Sequence, residues 1–207
     1  MADTTTTEGR VRSLLLEGEL GRRLVHVAGT AFPALYLHPS VEWHHVGVVM
    51  LGATALALAL EGVRLTVGVD WGIYEHLTRE YEENAPAAYL LYMVSATAVA
   101  LAFEPRIAIP AILMLTIADP LAGLVSSNEL RPVKRPRALG VMFVICALLA
   151  LPFAYERPLA VALGAAGGML ADGIKPTVRG ILVDDDLTIA PAGAVGLWLG
   201  WTLTGLL

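Results

Sequence analysis

Apolar residues along this chain gather into seven runs, separated by short clusters of charge, proline and glycine. The runs cover Leu24–Leu37, Val46–Leu60, Pro86–Phe103, Ile107–Val125, Ala138–Phe153, Leu159–Leu170 and Leu187–Leu207. A bilayer-crossing helix takes roughly 20 apolar residues, and breaks at membrane depth occur where backbone lines a cavity. Several runs are shorter than that, so their flanking polar residues are drawn into the headgroup layer. The pattern predicts an all-α fold: a polytopic integral membrane bundle of about seven transmembrane helices. Residues 1–20 are polar and Thr-rich, with no apolar segment of the signal-peptide kind, and read as a flexible cytoplasmic tail. Residues 21–207 then form one transmembrane domain.

Composition agrees with this reading. The chain is 56% hydrophobic and 16% charged, with a mean hydropathy of +0.65, far from the balance of a soluble domain. A single cysteine, Cys146, excludes an intrachain disulfide and a cysteine-built metal site. Net charge is -5, and Arg supplies 12 of the 14 basic residues, an Arg bias that says nothing about mechanism.

Charge placement sets the expected orientation. Alternate loops divide the 14 basic residues twelve to two, with only Arg106 and Arg157 on the poorer side. Because basic residues concentrate in cytoplasmic loops, the N-terminus is expected inside and the protein in the cell membrane as a multi-pass chain. In that topology the second, fourth and sixth spans each end near the cytoplasm on a carboxylate followed by a helix breaker: Glu61-Gly62, Asp119-Pro120 and Asp172-Gly173. An acid within a span faces a partner, a cation or a water-filled cavity. Asp119 carries the most weight, since no basic residue lies near it in its own span. Pro120 removes a backbone donor and loosens the preceding turn. The structural alternatives are that Glu61 pairs with Arg64 at helical spacing and that Asp172 is a solvated helix end near Lys175.

Two basic-acidic clusters accompany these acids. Arg131, Lys134, Arg135 and Arg137 follow the Asp119 span, and Lys175 and Arg179 precede Asp184, Asp185, Asp186 and Thr188. Acids that hold a divalent cation beside bases that hold phosphate are what a metal-bound polyphosphate needs, although the bases also serve as a topology signal and Asp186 as a complement to a helix dipole. At the N-terminus, Arg22 and His26 lie one turn apart with Arg23 beside them. His38, His44 and His45 fall on the other side, with only Glu42 for company. No P-loop, dinucleotide-binding glycine motif, zinc-protease motif or nucleophile elbow is present.

The ordered set Arg22-Arg23…His26, Glu61…Arg64, Ala118-Asp119-Pro120…Gly123, Lys134…Gly140 and Asp185-Asp186-Leu187-Thr188-Ile189 resembles the dolichol kinase, phytol kinase and CTP-dependent diacylglycerol kinase family, over about residues 20 to 207. That family is related to phosphatidate cytidylyltransferases. The chain departs from the family in having Asp185-Asp186 where Asp-Asn is common and Asp172 where Glu is common. It also has Arg135-Pro136-Arg137-Ala138-Leu139 in place of a Lys-Ser or Lys-Thr before the matched glycine.

The resemblance implies a polytopic, CTP-dependent enzyme that phosphorylates a lipid hydroxyl, here a polyprenol or dolichol, at the cytoplasmic face. Expected roles are Asp119, Asp172 and Asp186 on Mg²⁺; Arg22, Arg23, Lys134, Arg137 and Lys175 on the nucleotide; and Asp119, Asp185 and His26 in catalysis. Glu61, Arg64 and Thr188 are further candidates. The expected partners are a lipid alcohol, a nucleoside triphosphate and the bilayer, with no nucleic acid. A diacylglycerol-type kinase, a CDP-lipid synthase and a cation-coupled transporter are the alternatives; the transporter predicts acids at the membrane midplane instead of toward one face.

Overall fold

The computed structural model describes residues 21, 23–67, 85–125, 133–174, 177–178 and 181–205. In chain order, the helical elements begin with α1 (23–28) and α2 (Ala31–Ala34), which runs into a 3-10 turn over Leu35–Leu37. The longer helices follow: α3 (Trp43–Val67), α4 (Ala88–Ala102), α5 (Pro105–Val125), α6 (Pro136–Ala154), α7 (Pro158–Gly173) and α8 (Asp185–Gly205). Between α7 and α8, Thr177–Val178 pairs antiparallel with Ile181–Leu182. Proline opens α5, α6 and α7, a position where its missing N–H has no helical partner to lose.

Four helices, α3, α5, α6 and α8, are long and apolar enough to cross a membrane; α4 and α7 are shorter apolar helices. The expected span over Leu24–Leu37 is not one helix. It breaks at Gly29-Thr30, where Pro33 has no N–H to carry a helical ladder back to the Gly29 carbonyl; Gly29 itself packs against the Tyr92 hydroxyl of α4, where a Cβ would overlap it.

The outward faces are apolar. Val48, Leu51, Leu56 and Leu58 of α3 and Val144 and Leu148 of α6 are exposed, an arrangement suited to lipid contact and costly in water. Inside, Met50, Ile112, Met114, Leu115, Met142, Ile189 and Leu197 are fully buried. Thr54 Oγ1 and Thr97 Oγ1, 2.7 Å apart, link α3 to α4, the kind of hydroxyl pair that joins helices where no water competes.

Two local features place the site. First, α7 and α8 touch backbone to backbone. Gly167 lies against the Ala192 carbonyl, Gly196 against the Leu163 carbonyl and Gly200 against Ala160, each too close to admit a Cβ. Small residues permit this approach, and it brings the end of α7 beside the start of α8. Second, α5 widens into a π-helical turn over Met114–Ala118. Pro120 cannot donate to the Thr116 carbonyl four residues back, and a single π turn absorbs the missing bond. This is the loosened turn expected before Pro120, and it ends on Asp119.

Candidate active site

Five carboxylates meet at one end of the bundle. Asp119 comes from α5 just after the π turn, Asp172 from the last turn of α7, and Asp184, Asp185 and Asp186 from the start of α8. Four of the five are buried and Asp119 is half-buried. Their oxygens form overlapping groups in which every potential ligand atom lies within 4.8 Å of the others: His26, Asp119 and Asp186; Asp119, Asp172 and Asp185; and Asp184, Asp185 and Asp186.

The local chain explains why each acid points inward. Asp184 precedes α8, and its Oδ1 accepts the Asp186 backbone N–H at 3.0 Å, the bond of an N-cap aspartate. That cap starts the helix so that Asp185 and Asp186 occupy its first turn. Thr188 Oγ1 donates to the Asp185 carbonyl at 3.3 Å, so it supports the same turn. At Asp172, the contact of Gly173 with Leu139 of α6 leaves no room for a Cβ, which lets α6 close over the end of α7.

A lysine and a histidine face these acids. The Lys134 N–H donates to the Gly173 carbonyl at 3.0 Å, and Val133 bridges to Ile174, fixing the approach to α6 against the end of α7. From there Lys134 Nζ reaches Asp172 Oδ1 at 2.5 Å and Asp185 Oδ2 at 3.6 Å. Burial by itself works against the charged ammonium, but the Asp172 and Asp185 carboxylates outweigh it and hold Lys134 above its ordinary pKa. His26, on α1, lies between two acids: Nδ1 is 3.6 Å from Asp119 Oδ2 and Nε2 is 3.3 Å from Asp186 Oδ1. Its ring packs on Tyr92, with centroids 5.1 Å apart.

Among the described residues, one lysine and one histidine make ion pairs to this group of five carboxylates. Burying an uncompensated charge is expensive, and Asp172 Oδ2 is buried without a hydrogen-bond donor among the described residues. Oxygen donors of this density, with a free acceptor among them, fit a hard divalent cation.

The other expected site residues divide. Arg23 lies beside α5, where a Cβ on Gly123 would come 3.6 Å from its Nη2. Arg137 is exposed on the first turn of α6 and has no ion pair or side-chain hydrogen bond among the described residues. Arg22 and Lys175 lie outside the described residues. Glu61 is absent from the three ligand groups. Arg64 Nε and Nη2 donate to its two oxygens at 2.9 and 2.8 Å, the Ala87 N–H at 2.7 Å and Tyr89 Oη at 2.5 Å. Arg64 also donates to the Ala85 carbonyl at 2.7 Å. This pair is the structural alternative realised: it ties the end of α3 to the start of α4.

Asp184, part of the acidic run before the last apolar stretch, serves as the N-cap, a role that an acid just before a helix announces. Two further contributors are not visible in the sequence. Tyr92 is one, since a tyrosine inside an apolar run says nothing about its neighbours. The other is the bond from Thr30 Oγ1 to Thr116 Oγ1 at 3.0 Å, which fastens the chain just after the α1 break to the π turn below Asp119.

Comparison with known proteins finds no matching family model, curated protein or solved structure.

Proposed function

We propose that this protein is a CTP-dependent lipid kinase that transfers the γ-phosphate to the hydroxyl of a polyprenol- or dolichol-type alcohol. It crosses the membrane about seven times, with the N-terminus and the acidic site on the cytoplasmic side of the cell membrane. The observation that carries this reading is the convergence of Asp119, Asp172, Asp185 and Asp186 with Lys134 and His26 at one end of an otherwise apolar bundle.

Phosphoryl transfer asks a protein mainly to position its reactants and neutralise charge. Asp119 and Asp186 would hold Mg²⁺ beside His26, with Asp172 in the adjoining group around Asp119, and when bound Mg²⁺ neutralises charge on the phosphate oxygens. Lys134 and Arg23 bind the phosphates, with Arg22, Arg137 and Lys175 as further ligands. His26 is held between Asp119 and Asp186 and closes the site from α1. A carboxylate oxygen of Asp119 or Asp185 takes the proton from the lipid hydroxyl. As the new O–P bond forms at the γ-phosphorus, the bond from that phosphorus to the β,γ-bridging oxygen breaks and CDP leaves. The alcohol's apolar tail stays in the bilayer beside the short α1 and α2 segments.

The position of the acids at one end of the helices weighs against a transporter, whose coupling acids belong at midplane. A labelled-transfer assay tests the proposal: purified protein, Mg²⁺, and CTP labelled at the α- or γ-phosphate, with polyprenol, diacylglycerol and phosphatidate as acceptors. The expected result is γ-label on polyprenol. Preferred γ-transfer to diacylglycerol replaces the acceptor, α-label on phosphatidate makes the protein a CDP-lipid synthase, and no labelled lipid with any acceptor overturns the enzymatic reading.

A further inference from the structure

The far end of the bundle carries a second cluster that this chemistry does not use. Arg106 is in the first turn of α5, Arg157 immediately precedes α7, and Trp201 is near the end of α8. Along α5, 13 residues separate Arg106 from Asp119, about 20 Å of helix at 1.5 Å per residue. These are the two basic residues of the poorer side in the loop comparison, and both converge on one ring. The Arg106 guanidinium carbon is 4.3 Å from the Trp201 ring centroid and that of Arg157 is 5.2 Å.

Two cations on one indole repel each other unless an anion lies near them. Glu104 Oε1 takes one nitrogen of Arg106 at 2.6 Å. Arg157 has no side-chain hydrogen bond or ion pair among the described residues, and Glu156 beside it accepts instead from Tyr155 Oη at 3.0 Å. The Trp201 indole N–H is also buried without an acceptor among the described residues. Trp43, at the same end, is different: its indole N–H donates to the Ala100 and Phe103 carbonyls at 3.0 and 3.2 Å. Trp201 and Arg157 are therefore donors left over after the fold has satisfied their neighbours. Around them Tyr155, Leu159, Trp198, Leu199 and Leu203 are exposed, an apolar collar that acyl chains would cover.

We propose that Arg106, Arg157 and Trp201 bind the phosphate of an anionic lipid headgroup in the leaflet opposite the acidic cluster. Guanidinium forks match phosphate oxygens in pairs, and the collar selects a phosphate that carries acyl chains over one free in solution. The site is independent of the reaction at the other end.

The test places the full chain, with Trp43, Trp71 and Trp198 replaced by Phe, in nanodiscs containing phosphatidylglycerol and phosphatidylcholine, and brominates the chains of one lipid at a time. Brominated phosphatidylglycerol is expected to quench Trp201 more than brominated phosphatidylcholine. Arg157→Gln weakens that preference roughly five-fold, the loss of about one interfacial charge. Native mass spectrometry of the unaltered chain, which needs no tryptophan replacement, should show phosphatidylglycerol retained over phosphatidylcholine, and that selectivity lost in the Arg106→Gln, Arg157→Gln pair. Equal quenching by the two lipids, undiminished retention in the paired variant, or displacement of the lipid by millimolar inorganic phosphate would each overturn the assignment.

Discussion

Two buried acidic centres in this bundle have opposite electrostatic states. Glu61 is fully answered: both oxygens are taken by Arg64, a backbone N–H and a tyrosine hydroxyl. The Asp119–Asp172–Asp185–Asp186 cluster has four acids, with Asp184 alongside, and among the described residues Lys134 and His26 lie against them. A buried acid with every lone pair occupied fixes helices in place and has nothing left to offer a ligand. A crowd of acids short of cations stores a demand that a bound cation meets. Sequence position alone makes Glu61-Gly62 and Asp119-Pro120 look alike, and partner inventory separates them.

The largest effect should come from breaking the under-neutralised centre. Asp119→Asn keeps the shape and removes a carboxylate, so the proposed phosphoryl transfer is expected to fall by about 10³-fold, while the melting temperature holds or rises because a costly buried acid is gone. A variant that keeps more than a tenth of wild-type turnover in the labelled-CTP assay would remove Asp119 from the reaction.

Breaking the satisfied centre should do the reverse. Glu61→Ala leaves Arg64 buried without its carboxylate, a loss of about 3 kcal/mol or more, read as a lower midpoint in detergent unfolding. Activity per folded molecule should stay near wild type. Glu61→Met with Arg64→Met should recover much of the stability, since an apolar pair of similar volume does not need the ion pair. Equal loss of activity and stability in Glu61→Ala would place Glu61 inside the site and collapse the distinction.

Next in size is the response to cation. Mg²⁺ at about one hundred times its dissociation constant should stabilise the wild type by about 2.7 kcal/mol. Chelator should reverse the gain, Asp186→Asn should lack it, and the Glu61→Met, Arg64→Met protein should keep it. Thermal unfolding with and without Mg²⁺ reads all four, and a wild type indifferent to Mg²⁺ removes the cation from the site.

Much of this contrast was legible in the chain before folding. The last five apolar runs mark their helices to within about three residues because each is bounded by proline, glycine or charge, and Asp119-Pro120 announces both an acid and a distorted turn. What could not be read is partnership across helices. Glu61 finds Ala87 and Tyr89 through 17 residues outside the described structure, from 68 to 84, and Lys134 meets Asp172 from 38 positions away. The close approach of Gly29 to Tyr92 of α4 is likewise a contact no local pattern carries. Conversely, the glycines of α7 and α8 could be counted in the sequence, but their pairing, which sets the distance from Asp172 to Asp185, is a property of the packed pair.

The finest version of the comparison lies on a single helix. Tyr89 and Tyr92 are one turn apart on α4. The Tyr89 hydroxyl donates to the Glu61 carboxylate at 2.5 Å, whereas the Tyr92 hydroxyl is buried with no hydrogen-bond partner among the described residues. Deleting each oxygen changes the same few atoms in opposite contexts. Tyr89→Phe removes a bond to a charged acceptor and should cost about 1.5 kcal/mol. Tyr92→Phe removes a polar atom that the fold leaves unsatisfied and should cost nothing or stabilise slightly, with the ring still stacked on His26. Denaturant midpoints of the two variants, measured in one detergent, decide the matter. Equal losses would mean that Tyr92 has a partner of its own, and the acidic site would then be as internally satisfied on that side as the Glu61 centre.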